Sequence, residues 1–366
     1  MFRTLSEIWK GFIKSYRSIA TFRGLLLGLS TGVITGLAAS LFFLGVEAVK
    51  FYLLHKSAGL DLPAPAGEEI FFGEHGIYRP WLIPIFTTGV GLLTGFLVSR
   101  FIPESADAGT DGTDSMIRTF HQQEGRFSPK TWLIRGSMAV LTIGSGGSAG
   151  REGPISQVGA GIGSWLAQKL ELSPRERRML LLAGAAGGLG AIFRAPLGGA
   201  LTAIEVIYRE DFEAEAILPS VLSSVVAYTL FTIFYGTDPI FGIPQFHFEN
   251  AAELPFYALL AVFCALTGWL FVKCFYALKY QVFARVRAKA GIMWTMASGG
   301  LVMGLAGWVY PQVLSGGYGW LEMAIMGELT LLSMLTLLIG KTLATSAVIG
   351  SGMSGGMFAP ALDRKS

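Results

Sequence analysis

Gly144-Ser145-Gly146-Gly147-Ser148-Ala149-Gly150-Arg151-Glu152-Gly153-Pro154 is the stretch around which the chain is organised. An apolar run, Met138 to Ile143, leads into it, and another begins at Ile155. A near copy stands 206 positions later as Gly350-Ser351-Gly352-Met353-Ser354-Gly355-Gly356-Met357-Phe358-Ala359-Pro360, identical at six of the eleven positions. Glycines allow a backbone to approach a ligand closely, and the closing proline suits the first turn of a helix. The unpaired N–H groups of such a helix start form an anion site. Two copies in two halves of a hydrophobic chain point to a repeat built round a shared site.

Composition places this device in a membrane. The chain is 52% hydrophobic and only 14% charged, with mean hydropathy +0.54. A soluble protein of 366 residues would need more charge to cover its surface. The spacing of apolar runs argues for one multi-span domain rather than two or three soluble ones. A net charge of +3 gives no support to nucleic-acid binding. Cys264 and Cys274 lie in an apolar run and are expected to be small buried hydrophobes, not a disulfide or metal pair.

Arg3, Lys10, Lys14, Arg17 and Arg23, against the single acid Glu7, precede the first apolar run. The positive-inside rule therefore puts the N-terminus in the cytoplasm, with residues 1–23 as an amphipathic surface segment. Gly24 to Val46 carries no charge and is long enough to span. Gly24, Gly28, Gly32 and Gly36, with Ser40, make a small-residue stripe for close helix packing. Lys50 to Arg79 is expected as an external loop and Trp81 to Ser99 as the return span, with Gly91 and Gly95 on one face. Glu104 to Asp114 is expected as a polar cytoplasmic loop.

Gly159 and Gly163 are again four apart, and Ser173-Pro174-Arg175-Glu176 is a capping box. The helix that it opens breaks at Phe193 to Gly199 and is expected to resume over Ala200 to Tyr208. Ile217 to Tyr235 spans again, and a polar linker joins the halves. Short apolar runs at Phe256–Leu278, Ile292–Tyr310 and Leu329–Ile339 suit discontinuous or tilted helices. The expected organisation is a cytoplasmic segment 1–23, a first membrane repeat 24–236, a connecting loop 237–253 and a second, incomplete repeat 254–366. The chain stops six residues after Pro360, before the helix that the first copy introduces, and on this reading it is truncated.

Glu152 is the sharpest single residue. A carboxylate at a helix start inside a membrane protein is expensive unless it works or is paired. The plainer alternatives are stabilisation by the helix dipole and pairing with Arg151. A dinucleotide loop would need a soluble strand before it and an acid about 20 residues on, which the polar stretch around Leu170 does not supply. A serine protease using Ser145 or Ser148 would need a base within a membrane segment, and His55, His75, His121 and His247 all fall in expected loops. Lys341 follows an apolar run and belongs at an interface or in a bundle interior, with no role assigned.

At these residues the chain resembles the CLC family of chloride channels and chloride/proton antiporters. Gly150 to Pro154 is similar to the family's GREGP motif, Gly356 to Pro360 to its GxFxP motif, and Ala195-Pro196-Leu197 with Ile204-Glu205 to the segment after its glycine-rich helix. The resemblance implies an all-α, multi-span integral membrane protein of two inverted repeats, assembled as a homodimer in the cell membrane. It implies transport of chloride or a similar small anion, no enzymatic activity, and no cofactor or metal. Gly150, Arg151, Glu152 and Gly153 would form one side of the anion site and the backbone of Met357 and Phe358 the other, with Glu152 as the gate.

Three departures accompany the resemblance. The family's GSGIP motif maps onto Thr110 to Asp114, which puts Asp111, followed by Gly112, where an anion-coordinating serine usually sits. A shift of one residue puts Thr110 there instead. The internal proton glutamate of the antiporters aligns with Val206, leaving Glu205 as the nearest carboxylate for a proton path. The family's coordinating tyrosine would lie beyond residue 366. The alternatives are a proton-coupled chloride or fluoride antiporter and, in another class, a truncated, non-conducting chain that dimerises in the membrane.

Overall fold

The computed structural model describes residues 2–68, 71, 73, 76–103, 112–208, 213–242, 248 and 250–356, with side chains from residue 23 onward except at 214. The described residues form twelve α-helices and no strand. They are α1 Phe2–Lys50, α2 Leu82–Phe101, α3 Gly112–Gln122, α4 Pro129–Gly144, α5 Glu152–Lys169, α6 Pro174–Ile192, α7 Pro196–Glu205, α8 Ile217–Tyr235, α9 Leu254–Ala277, α10 Ala284–Val309, α11 Tyr318–Ile325 and α12 Leu331–Gly350. Among the described residues, five segments are long and apolar enough to cross a membrane: Arg23–Ser57, Leu82–Phe101, Ile217–Tyr235, Ala251–Val309 and Leu331–Gly350. The 59 residues of Ala251–Val309 are enough for two crossings, since one takes about 20 residues.

The chain divides into two compact units. The first comprises Met1–Ser40, Met116–Ser128 and Val158–Phe234. Its packing follows from small residues. Cβ atoms added to Gly28, Gly32 and Gly36 of α1 would stand 2.9, 2.6 and 2.8 Å from backbone atoms of Pro219, Ser223 and Ala227 of α8. The stripe therefore brings two backbones together, as its spacing predicts. Gly24 lies outside that contact, with nothing within 4 Å of an added Cβ. Gly159 and Gly163 of α5 meet the carbonyls of Gly184 and Leu180 of α6 in the same way.

The capping box of α6 is complete: Ser173 accepts from the Glu176 N–H, and the Glu176 carboxylate accepts from the Ser173 N–H. The chain breaks at Arg194, whose φ is +53°. It re-enters a helix at Pro196, and the Ser224 hydroxyl donates to the Pro196 carbonyl at 2.7 Å. The helix thus resumes four residues earlier than the apolar pattern indicates and ends at Glu205, because Pro196 is itself a good first residue.

The second unit comprises Leu41–Ser115, Pro129–Gln157 and Tyr235–Ser366. Gly91 and Gly95 of α2 admit the backbone of Met296 and Met293 of α10, and Gly300 and Gly304 admit Thr87 and Pro84 in return. The expected polar loop 104–114 ends sooner than composition indicates, with α3 already begun at Gly112. The run Phe256–Leu278 continues as helix through a π-helical turn at Leu278–Phe283, and the backbone leaves helical geometry at Gly291 (φ +80°) just before the run Ile292–Tyr310. Along α9 Phe275 is buried while Phe256, Leu259 and Trp269 are exposed, a surface suited to lipid. Cys264 lies exposed on this helix and both cysteines are free, which corrects the expectation of buried thiols.

The repeat is legible in the backbone of this unit. α4 ends at Gly144 and α12 at Gly350, 206 positions later. Two residues on, Gly146 and Gly352 both take left-handed backbone, with φ +106° and +99°. The Ser145 and Ser351 hydroxyls each donate back to the carbonyl three residues earlier, Thr142 and Val348.

Cations repeat as well, buried at Arg135 and half-buried at Lys341, and they are exchanged. Arg135 of α4 donates from Nη1 to the Gly352 carbonyl at 3.0 Å and to Ser354 Oγ at 3.4 Å. Lys341 of α12, its counterpart 206 positions on, donates from Nζ to Ser148 Oγ at 3.4 Å and to the carbonyls of Leu314 and Ser315 at 3.2 and 2.5 Å. Each repeat thus sends a cation to the glycine loop of the other.

Lys341→Met is expected to lower stability by about 2 kcal/mol, because it leaves buried carbonyls without their donor. Lys341→Arg is expected to recover part of the loss. The midpoint of thermal unfolding in detergent measures both, and an unchanged or raised midpoint for Lys341→Met would mean that the cost of burying the ammonium outweighs its bonds.

Candidate anion site

The two glycine loops meet. Gly150 N–H donates to the Gly356 carbonyl at 3.1 Å, and Gly356 N–H donates to the Gly150 carbonyl at 2.7 Å. This reciprocal pair leaves little room beside it: a Cβ on Gly356 would stand 2.8 Å from the Gly150 carbonyl and 2.9 Å from the Gly153 nitrogen. Only glycine permits so close an approach of the two backbones.

Glu152 is the first residue of α5, where N–H groups lack helical partners and the helix dipole favours negative charge. Its carboxylate lies over the paired glycines. A Cβ on Gly150 would collide with Oε2, and one on Gly356 would stand 3.0 Å from the same oxygen. The other oxygen, Oε1, accepts a hydrogen bond of 2.6 Å from the Tyr318 hydroxyl. Gly112, at the start of α3, packs against the Gly153 carbonyl and Gln157. Gly112, Gly150, Glu152 and Gly153 are therefore neighbours, together with Gly356. Asp111, Met357 and Phe358 lie outside the described residues.

Arg151 is not the partner of Glu152 that the sequence left open. Its guanidinium forms a bidentate pair with Glu68 at 2.9 and 2.6 Å, both side chains being buried. Its Cζ stands 4.4 Å from the centre of the Tyr318 ring and 5.7 Å from that of Phe43. Such a buried, forked pair is costly to break from one side, by about 3–5 kcal/mol, and it fixes Arg151 as a pillar. Its Nε is buried without a hydrogen-bond partner.

Tyr318 carries no mark in the sequence that assigns it to the site. It is the first residue of α11, and Gly317 before it takes left-handed backbone with φ +80°. The loop that carries it is tied to the first glycine loop by the Ser315 N–H, which donates to the Gly146 carbonyl at 2.9 Å, and by the Lys341 bonds. The run Gly316-Gly317-Tyr318-Gly319 is the available signal: one aromatic hydroxyl among glycines after an apolar helix.

Glu205, the candidate for a proton path, lies in the other unit as the exposed last residue of α7. Val206 beside it is buried, with 7% of its surface exposed. The His121 ring donates from Nε2 to the Ile207 carbonyl at 2.9 Å.

The five segments able to cross a membrane, and paired glycine loops with a carboxylate over them at the start of α5, define the class as a multi-span membrane protein. Residues 90–363 match the family described as voltage gated chloride channel, and the chain belongs to that family. An uncharacterized protein of Methanocaldococcus jannaschii is 31% identical over 271 residues, which are 73% of this chain and 66% of that protein. The H(+)/Cl(-) exchange transporter ClcA of Cronobacter sakazakii is 31% identical over 348 residues, 92% of this chain and 70% of that one. The chain thus spans about two thirds of the length of these relatives. A slow cyanobacterial Cl−/H+ antiporter has the same fold, with TM-score 0.74 and 21% identity over 92% of this chain and 76% of that one.

Proposed function

We propose that this protein passes chloride, or a similarly small anion, across the cell membrane, with Glu152 as the gate. One observation carries the reading: the Glu152 carboxylate occupies the ground where the two glycine loops pair, at the N-terminus of α5. A negative group that fits there marks a place where a negative ion is also favoured. Helix N-termini attract an anion with partial charge only, so the ion can leave again. The carboxylate and the anion compete for this place, and neutralising the carboxylate hands it to the anion.

Under this reading Gly150, Arg151, Glu152 and Gly153 supply one side of the site and the backbone of Met357 and Phe358 the other. Gly112 closes it, with Asp111 serving through its main chain. The protein catalyses no covalent reaction and needs no cofactor or metal. It works as a homodimer with its N-terminus in the cytoplasm, built from repeats at 24–236 and 254–366. A second reading, proton-coupled antiport, is favoured by the description of the Cronobacter relative as an exchange transporter.

The test is chloride efflux from vesicles holding the purified protein, with pH recorded inside and outside. Efflux well above that of empty vesicles, carrying chloride in preference to sulfate or phosphate, is expected. Efflux no faster than from empty vesicles would reject transport by this chain and leave a membrane or dimerisation role.

A further inference from the structure

We infer that Tyr318 is a positioning residue that latches the Glu152 carboxylate over the glycine loops and so sets how readily the site opens. The inference rests on the gate reading above and adds to it a second residue, 166 positions distant in sequence. Its ground is geometric. The hydroxyl donates to Oε1 at 2.6 Å, while Oε2 lies against Gly150 and Gly356, so the two oxygens are held from opposite sides. Hydrogen bonds to a carboxylate are short and stronger than those between neutral groups, and this one has to break when the side chain leaves.

The hydroxyl is aimed by a built support. The ring lies against the Arg151 guanidinium at 4.4 Å, which Glu68 holds by two bonds. The backbone before it is pinned by Lys341 and by Gly146. Arg151 and Glu68 are the charged groups facing the pair, and Lys341 stands beside Gly317. A pocket of about 40 Å³ beside Tyr318 is lined also by Arg151, Glu68 and Ser315. It shares Glu47, Lys50, Leu62, Pro63 and Trp320 with a cavity of about 680 Å³. The latch residue Tyr318 therefore stands at the end of a wide recess.

The experiment is Tyr318→Phe, which keeps the ring over Arg151 and removes only the donor. In reconstituted protein, chloride flux at neutral pH is expected to rise about tenfold, the order that one lost bond to a charged group gives. In a Glu152→Ala background, which leaves the hydroxyl nothing to hold, the same change is expected to have little further effect. Thermal stability of Tyr318→Phe in detergent, near that of the parent, shows that the support is intact.

If Glu152→Gln raises flux and Tyr318→Phe does not, the latch is wrong and the gate stands. If Tyr318→Phe raises flux equally in the Glu152→Ala background, the hydroxyl acts elsewhere and the latch is wrong. If Glu152→Gln itself keeps the parental profile, the gate reading has failed, whatever Tyr318→Phe does.

Discussion

Glu152→Gln is expected to raise chloride flux at neutral pH by roughly tenfold or more and to flatten its dependence on pH. The seated carboxylate is held by two physical terms. The N-terminus of α5 contributes about 0.3–1 kcal/mol for a nearby negative charge, more where solvent is scarce. The Tyr318 hydroxyl adds a charge-assisted bond worth about 1.5–3 kcal/mol. Glutamine has the same shape but carries no charge, so it loses the first term wholly and much of the second. Because its Oε1 can still accept from Tyr318, Glu152→Ala is the companion variant and is expected to move flux further in the same direction. The parent is expected to conduct better as the pH falls, since a proton does reversibly what glutamine does permanently. Flux measured against pH decides the matter: a Glu152→Gln protein that keeps the parental profile would remove Glu152 from the gate.

Much of this arrangement can be read from the sequence, because glycine spacing in a membrane chain has few other uses. The stripe through Gly28, Gly32 and Gly36 predicts the approach of a second helix, and that helix is α8. The capping box at Ser173 fixes the start of α6. The copy at Gly350 predicts a shared site, and the Gly150–Gly356 pair is where the copies join.

Other features are hidden for physical reasons. Apolar periodicity separates core from water, but in a bilayer both the protein-facing and lipid-facing sides are apolar. The exposed face of α9 and the position of Cys264 therefore leave no mark in the pattern. The helix after the run Phe256–Leu278 continues past Arg285, Arg287 and Lys289, which interrupt the hydropathy before the backbone breaks at Gly291. The Tyr318 and Lys341 bonds to the first glycine loop reach across more than 160 positions, which no local pattern encodes. For Lys341 a clue is present. Arg135 stands nine residues before Gly144, and Lys341 stands nine before Gly350. Extending the repeat upstream pairs the two cations by position alone.

A chloride gradient imposed on vesicles is expected to drive little or no uphill proton movement. Coupling needs titratable groups along a path, and the family resemblance puts Val206 where the antiporters carry their internal acid. That side chain is buried and can hold no proton. Glu205 is one residue away, about 100° round the helix, and it is exposed at the end of α7 while Val206 turns inward. His121 approaches the same stretch, but its Nε2 is engaged by the Ile207 carbonyl. A proton arriving at Glu205 or His121 would have to pass Val206 without a carrier, whereas an anion needs no such relay. The expected behaviour is therefore anion flow that follows its own gradient, in contrast to a relative described as an exchange transporter. The measurement is the pH inside weakly buffered vesicles as chloride leaves, with a protonophore added at the end to reveal any stored gradient. Clear uphill pumping would overturn the expectation. Loss of that pumping in Glu205→Gln, with chloride flux retained, would then identify Glu205 as the replacement for the missing acid, and loss in His121→Gln would identify the imidazole.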